Sequence, residues 1–295
     1  GMGVPGTLGM GVTGIGGLAN QFKDQPGSLG SHAEMLLLGI NLGAGMELTE
    51  RLSAGAAMTI GYLNADAGMS HMSSMNHDTA LRGTFGLDYD VTCNTTVAVY
   101  YQTKLNHRLD GALLASEPGV APAQYVDLDI DWPDNIGIGV ANTSLMNGNL
   151  LIGADVLFKQ WDNCDYWRDI CRNQWAIAIG SQLTCGQWKF RSGYSYSDSV
   201  LALEYGDSIN GIPVGQPMVE YMAAVSGCAI WQHRLTGGVG YENLLPGVNF
   251  DMFAGGMFPE YEQVGSANSI RAVNWYIGAG LTWKFDPPAI ETIAE

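Results

Sequence analysis

The stretch Gln187–Ser197, QWKFRSGYSYS, decides the fold. One set of alternate positions is mostly aromatic: Trp188, Phe190, Ser192, Tyr194 and Tyr196. The other set is polar or glycine: Gln187, Lys189, Arg191, Gly193, Ser195 and Ser197. A period of two indicates a β-strand with two different faces. In a soluble sheet the aromatic face would be the core. In a membrane barrel it would meet lipid, and the polar face would line a lumen.

The same alternation recurs in the segments 36–48, 79–91, 172–184, 231–242 and 274–285. Their polar faces carry charged and amide side chains together with many glycines. Soluble sandwiches also alternate, so strand length has to separate the two classes. Strands of about 10–15 residues exceed the usual ~5–6 of globular sheets and suit a tilted membrane crossing.

The placement of the aromatic residues favours a membrane barrel over a soluble sheet. Trp275 and Trp283 lie on one apolar face of the last segment. Their separation along the membrane normal is about 20 Å for a tilted strand, which approximates the spacing of the two aromatic girdles of a barrel.

Composition points to the same class. The chain has 295 residues, of which 46% are hydrophobic, 14% are charged and 40 are glycine. No apolar run reaches the ~18 residues of a spanning helix. The net charge of −16 argues against a nucleic-acid partner, because phosphate binding needs a basic surface. The chain opens GMGVP without a basic or apolar leader region, which predicts either a mature or trimmed chain or a cytosolic one.

The pattern predicts an all-β protein, an antiparallel transmembrane β-barrel of about twelve strands. The predicted strands are 8–22, 32–48, 52–66, 77–91, 95–108, 124–142, 148–161, 172–185, 187–198, 229–242, 248–258 and 274–285. Short connections alternate with long ones at 65–77, 109–123, 162–171, 199–228 and 259–273, as short periplasmic turns alternate with long extracellular loops. Asp131-Trp132-Pro133-Asp134 interrupts the sixth strand, and we expect a bulge or kink there because proline cannot donate to the ladder.

A resemblance to a known family rests on the order of several soft motifs. Residues 125–140 read YVDLDIDWPDNIGIGV, and a tight turn, the strand containing Ala154-Asp155-Val156, and Trp161 follow. Tyr194-Ser195-Tyr196 and the terminal Trp283-Lys284-Phe285 also fit. In this order they resemble the FadL family of outer-membrane transporters of long-chain fatty acids and other hydrophobic compounds, over residues 32 to 285.

The resemblance implies a monomeric 14-stranded barrel in the outer membrane of a Gram-negative-type bacterium, with no enzymatic activity and no cofactor. Hydrophobic small molecules and outer-membrane lipid are its implied partners. By this comparison the N-terminal hatch and the first strands are absent from residues 1–285, which form the barrel domain. Residues 286–295 form a C-terminal tail after a last strand that ends at Phe285. Pro287 and Pro288 favour that boundary, because neither can donate to a ladder.

The predicted ligand-binding set is Lys189, Arg191, Arg234 and Trp161. If the aromatic face of QWKFRSGYSYS meets lipid, Lys189 and Arg191 point inward, and the same parity places Arg234 inward on the next strand. Guanidinium groups engage a carboxylate bidentately, so the two arginines could hold a fatty-acid head group if the register brings them together. The alternative is that these cations neutralise lumenal Asp88, Asp90, Asp155 or Glu242.

The cysteines and methionines offer further candidates. Cys164 and Cys171 flank six residues of a predicted extracellular loop, where an oxidising surface favours a disulfide; the alternative is two independent thiols. The pairing of Cys93, Cys185 and Cys228 stays open, and no CxxC pair indicates zinc. Segment 68–77, GMSHMSSMNH, could bind Cu(I) through its thioethers, but an adaptable apolar rim is favoured and no metal site is predicted.

The predicted function is uptake of hydrophobic molecules, with long-chain fatty acids as the leading substrate. A structural or adhesive surface barrel without transport is the alternative from another class. A soluble β protein is the third possibility, and it would need no detergent for solubility.

Overall fold

The computed structural model describes residues 6–21, 24, 32–66, 75–115, 124–225, 230–266 and 268–283. These residues form sixteen strands, one α-helix and three single 3-10 turns. The strands are β1 (Gly6–Gln21), β2 (His32–Glu47), β3 (Leu52–Asp66), β4 (Asn76–Thr92), β5 (Thr95–Gln102), β6 (Leu105–Ala115), β7 (Gln124–Trp132), β8 (Asn135–Leu145), β9 (Leu150–Lys159), β10 (Gln174–Cys185), β11 (Trp188–Ser197), β12 (Ser208–Ile209), β13 (Ile212–Pro213), β14 (His233–Leu245), β15 (Val248–Val264) and β16 (Asn268–Trp283). The helix is α1 (Gln216–Val225).

Twelve of these strands form one antiparallel sheet, in the order β1-β2-β3-β4-β5-β8-β9-β10-β11-β14-β15-β16. This confirms the predicted fold class and the strand number. The connections 48–51, 93–94, 146–149, 186–187 and 246–247 are short and lie at one end of the sheet, which we call the short-turn end. Gly186 takes a φ of 61° in the two-residue connection 186–187, a conformation that glycine adopts without strain. The opposite end is the long-loop end.

The predicted long loop at 259–273 is wrong. Strands β15 and β16 continue through it and are joined at residues 265–267. Their pairing shifts between Met257 and Glu260, across Pro259, and resumes with Glu260 opposite Ala272. A proline that cannot donate to the ladder is accommodated as an irregularity without ending the strand.

The two faces of the sheet are divided as the alternation predicts. Outward positions are apolar and exposed, as at Leu81 (63%), Trp188 (48%) and Trp275 (76%). Inward neighbours such as Thr59 and Arg82 are buried, each with 4% of its surface exposed. A soluble monomer rarely exposes apolar patches larger than a few hundred Å². An exterior that is apolar on strand after strand is therefore a lipid-facing surface, and the sheet is the wall of a transmembrane β-barrel.

No α-helix in the described part of the chain is both long and apolar enough to cross a lipid bilayer.

The interior is packed at the long-loop end. Buried side chains from the separate hairpin β6–β7, from the loop after β9 and from α1 form one apolar cluster that includes Leu105, Leu128, Ile170 and Met222. Contacts also cross the interior. A Cβ added at Gly16 of β1 would lie 3.3 Å from Trp132 Nε1, and Asn20 Nδ2 donates a 2.6 Å bond to Val225 O at the end of α1. Because α1 also contacts β15 and β16, the sheet curls round this packed end.

Two wall strands end early, and Arg82 accounts for both. Its Nε donates to Thr103 O (2.6 Å), between β5 and β6, and its Nη2 donates to Pro133 O (2.6 Å) and Trp132 O (3.3 Å), between β7 and β8. The interruption predicted at 131–134 is confirmed. The single strands predicted at 95–108 and 124–142 are wrong, because each divides into a wall strand and one strand of hairpin β6–β7.

The predicted tail 286–295 and the strand end at Phe285 lie outside the described residues, which follow the last strand as far as Trp283.

Replacing Arg82 with lysine tests this bridge. An ammonium cannot reach all of the carbonyls that the guanidinium holds, and each buried acceptor left unpaired costs about 1–3 kcal/mol. We expect Arg82→Lys to lower the free energy of unfolding by about 3 kcal/mol in a guanidinium titration of the detergent-solubilised protein. Arg51→Lys, in an exposed short turn, is the matched control. Equal stability of the two variants would contradict the bridging role.

Candidate functional site

A cavity of about 610 Å³ occupies the lumen at the long-loop end. We call it the tryptophan chamber because four indoles line it: Trp132, Trp161, Trp167 and Trp231. Wall residues from β1, β2, β4, β5, β8, β9, β10, β14 and β16 complete its lining. The volume falls within the range of small-molecule sites, and mostly apolar walls with a few polar groups are their usual composition.

The loop after β9 and the strand break place three of the four indoles. Trp132 is the last residue of β7, and its carbonyl is held by Arg82. Trp161 and Trp167 each begin a 3-10 turn. Their rings meet edge to face, with centroids 6.2 Å apart for Trp132 and Trp167 and 5.8 Å apart for Trp161 and Trp167. This geometry is favourable for aromatic pairs and makes a rigid apolar wall.

Three cations line the chamber: Arg82, Lys159 and Arg234. Arg82 donates to four uncharged oxygens, the three carbonyls above and Gln102 Oε1 at 3.0 Å. Within the described residues, Lys159 and Arg234 have no hydrogen bond and no carboxylate within 4.0 Å. No aspartate or glutamate belongs to the described lining of this cavity. The chamber is therefore positively charged without an internal counterion.

The same walls hold polar atoms without partners. The indole Nε1–H groups of Trp161, Trp167 and Trp231 are buried and donate to no acceptor within the described residues. One acceptor, Asn135 Oδ1, is also without a donor. These atoms have almost no accessible surface, so a ligand in the cavity does not reach them in this arrangement of the rings. The side chains of Lys159 and Arg234 line the cavity, and they are the donors available to an acceptor-bearing ligand.

The lower lumen has the opposite character. A wide chamber of about 990 Å³ near the short-turn end is lined by Glu47 and Asp88 together with glycines, alanines and several larger apolar residues. A smaller one, of about 480 Å³, contains Asp155 and Arg191. The two lower cavities therefore contain three carboxylates and one cation, whereas the tryptophan chamber contains three cations and no carboxylate in its described lining. An anion is attracted to the tryptophan chamber and disfavoured beneath it.

Two of the four predicted ligand-binding residues line the tryptophan chamber, namely Trp161 and Arg234. The other two are engaged in ion pairs nearer the short-turn end. Lys189 Nζ lies 2.6 Å from Glu242 Oε1, and Arg191 Nη1 lies 2.5 Å from Asp251 Oδ1. For these two, the structure matches the alternative of a lumenal charge network.

Strand register separates the two arginines that were expected to act together. Arg234 is opposite Ser195, whereas Arg191 is opposite Gly238. Four residues along a strand correspond to about 13 Å, so Arg191 and Arg234 do not form one clasp.

Sequence reasoning missed most of the chamber. Arg82 was assigned only to the polar face of segment 79–91, and Trp132 only to a kink. The alternation placed Asp155 and Lys159 on one face and suggested an ion pair between them, but Lys159 has no carboxylate within 4.0 Å among the described residues. Trp167 lies outside the regular alternation. Trp231 was assigned by the alternation of segment 231–242 to the apolar face, and this was wrong, because Trp231 lies before β14 and lines the chamber. The WP pair at Trp132-Pro133 was the available signal, because a proline inside a long strand requires its neighbours' carbonyls to find donors elsewhere.

The loop after β9 also holds both cysteines of the predicted disulfide. Cys164 is a free, fully buried thiol in the structure, so the predicted bond to Cys171 is not present there. Burial, together with the nearby Asp131 carboxylate, raises the pKa of the Cys164 thiol to about 12. Burial also raises the pKa of Asp131, even though it accepts bonds from Asp165 N (3.1 Å) and Lys104 Nζ (3.2 Å). Disulfide formation needs a thiolate, which this site disfavours.

Residues 68–74 of the methionine-rich segment 68–77 lie outside the described residues. In the rest of the described chain, no group of three or more His, Cys, Asp or Glu side chains could hold a metal ion.

The sequence matches no family model and no curated protein sequence. The fold is similar to several solved structures. The toluene transporter TbuX of Ralstonia pickettii is 16% identical over 94% of this chain and 78% of that chain, with a TM-score of 0.61. A FadL homologue of Pseudomonas aeruginosa is 14% identical over 94% and 73%, with a TM-score of 0.66. The toluene transporter TodX of Pseudomonas putida is 14% identical over 93% and 76%, with a TM-score of 0.56. The predicted resemblance to FadL-type barrels is confirmed in the fold.

Thiol labelling tests the electrostatics of the loop. At pH 8 a thiol with a pKa of about 12 is ~10⁻⁴ thiolate, so Cys164 should resist iodoacetamide in the folded protein. Exposed Cys93 and Cys185 should react and serve as internal controls. Rapid native labelling of Cys164, or its recovery in a cross-linked peptide without reductant, would contradict this assignment.

Single replacements separate the two groups of cations. Arg191→Gln should lower the free energy of unfolding by about 1 kcal/mol, because Asp251 loses a partly exposed ion-pair partner, and should leave ligand binding unchanged. Arg234→Gln should weaken binding of a carboxylate ligand and leave stability nearly unchanged, because the side chain has no partner to lose. Isothermal titration with dodecanoate and a denaturant titration provide the two readouts. Weakened binding in Arg191→Gln with intact binding in Arg234→Gln would reverse the assignment.

Proposed function

We propose that this protein is an outer-membrane channel for the uptake of hydrophobic molecules, with long-chain fatty acids as its leading substrate, and that it is not an enzyme. One observation carries the proposal. The tryptophan chamber combines apolar indole walls with two cations, Lys159 and Arg234, that have no partner among the described residues. An apolar chain ending in a carboxylate fits both features, because the indoles can bury the chain and the cations can bind the carboxylate.

Each part of the chamber has a task in this proposal. Indole faces bury the apolar chain at little entropic cost, because they are already fixed by their mutual packing. Arg234 and Lys159 bind the carboxylate, and they do so without first breaking an ion pair within the described residues. Arg82 holds Trp132 in place from behind through the carbonyls of residues 132 and 133.

A neutral aromatic hydrocarbon is the second candidate substrate. Two structural neighbours, TbuX and TodX, are toluene transporters by name. Four indoles around one cavity can stack on a flat ring. The unpaired cations favour the acid, because a hydrocarbon would leave them buried without a partner.

The outer membrane is the proposed location, with the short-turn end facing the periplasm and the long loops outside. Support comes from the exposed apolar exterior of the wall and from the unequal connections at its two ends. The same apolar exterior fits a protein surrounded by outer-membrane lipid, and we propose that it acts as a monomer.

Direct binding and uptake test the proposal. The protein in detergent should bind dodecanoate in isothermal titration, and cells producing it should take up labelled fatty acid. Trp161→Ala and Arg234→Gln should each reduce both signals several-fold, whereas Lys189→Gln, outside the chamber, should not. A well-folded protein that binds neither dodecanoate nor toluene would contradict the proposal and favour the structural or adhesive barrel.

A further inference from the structure

The charge of the tryptophan chamber exceeds what one carboxylate neutralises. Arg82, Lys159 and Arg234 all line the cavity, and its described lining contains no aspartate or glutamate. The bonds of Arg82 go only to uncharged oxygens, and the carboxylate that acts on its charge, Asp134, is not part of the cavity lining. Lys159 and Arg234 have no partner among the described residues. Buried charge without a counterion is costly, and a monocarboxylate would leave at least one side chain uncompensated.

The donors of the two unpartnered cations point in the same direction. The ammonium of Lys159 and the guanidinium of Arg234 together carry more N–H donors than the two oxygens of one carboxylate can accept in good geometry. A head group with two acid functions has four oxygens for them.

We propose that the tryptophan chamber binds amphiphiles whose single head group carries two negative charges, with an alkylmalonate as the representative. The inference rests on the proposed uptake function and narrows its substrate class. One carboxylate would be paired with the guanidinium of Arg234 and the other with the ammonium of Lys159. The indole faces would cover the first carbons of the alkyl chain.

The order of charge along the lumen supports a site that holds rather than passes such a head group. Below the chamber, the two lower cavities are lined by three carboxylates, Glu47, Asp88 and Asp155, and by one cation, Arg191, which is ion-paired with Asp251. A dianion gains more than a monoanion from the cations above and meets more repulsion from the carboxylates below. The upper chamber is therefore the position where a doubly charged head group is most stable.

Three ligands with one alkyl chain isolate the contribution of charge. Dodecanol, dodecanoate and dodecylmalonate are titrated at pH 8 into the full-length chain in detergent, below the micelle-forming concentration of each ligand. We expect one dodecylmalonate per chain, bound at least about tenfold more tightly than dodecanoate, with dodecanol weakest. Raising the salt concentration should narrow the difference between the two acids.

Variants assign that preference to the chamber. Lys159→Gln and Arg234→Gln should each bring dodecylmalonate down to the affinity of dodecanoate, and Lys159→Arg should retain the preference. The ion-paired Lys189→Gln is the matched control and should behave as the unmodified chain does. Circular dichroism and thermal midpoints verify that each variant is folded, and the conservative Lys159→Arg keeps the test decisive if a glutamine variant is unstable.

The possible results separate this inference from the function on which it rests. Equal affinity for the two acids, or two dodecanoates per chain at that affinity, would overturn the dianion preference and leave fatty-acid uptake standing. A preference that survives in both glutamine variants would place the dianion elsewhere and would also overturn it. Failure of all three ligands to bind would overturn this inference together with the fatty-acid substrate on which it rests, and would leave only the neutral aromatic candidate.

Discussion

The buried guanidinium of Arg82 is the interaction on which the upper half of the barrel depends. It lies on the inner face of β4 and binds backbone oxygens at the two points where the neighbouring wall strands break. Without a donor at those points, Thr103, Trp132 and Pro133 would each bury an unpaired carbonyl. Because Arg82 satisfies these carbonyls, β5 can end and β8 can begin partway along the wall. Hairpin β6–β7 can then leave the sheet. That departure places Trp132 at the chamber.

The wall and the lumen follow two different requirements. In lipid, every backbone group has to be bonded within the sheet, and outward side chains have to be apolar. The exposed positions of β4, β11 and β16 meet that requirement with leucine, phenylalanine and tryptophan. Inside, the chain is free to be polar, and it uses that freedom unevenly. Ion pairs such as Arg191–Asp251 neutralise charges near the short-turn end, while Lys159 and Arg234 of the tryptophan chamber have no such partner among the described residues.

Alternation in the sequence was enough to predict the wall, because a period of two assigns each residue to lipid or lumen without knowledge of its neighbours. It was not enough to predict the site. The alternation places Arg191 and Arg234 on the same inward face of the sheet. Only the strand register shows that Arg191 pairs with Asp251 and that Arg234 lines the tryptophan chamber. From the sequence, Arg82 is predicted only to be an inward cation. Its bridging role is visible only when the positions of the carbonyls of residues 103, 132 and 133 are known. The loop tryptophans follow no period, so their convergence depends on tertiary packing.

The most direct test of a fatty-acid site in the tryptophan chamber uses the distribution of the eight tryptophans. Trp175, Trp188, Trp275 and Trp283 are exposed on the lipid-facing surface, whereas the other four line the chamber. With those outer four replaced by phenylalanine, the remaining fluorescence reports on the chamber alone. We expect a bromine-labelled dodecanoate to quench this fluorescence saturably. Unlabelled dodecanoate should reverse the quenching, and Arg234→Gln should weaken it. Quenching that rises linearly with ligand, or that is unchanged in Arg234→Gln, would contradict a fatty-acid site in the tryptophan chamber.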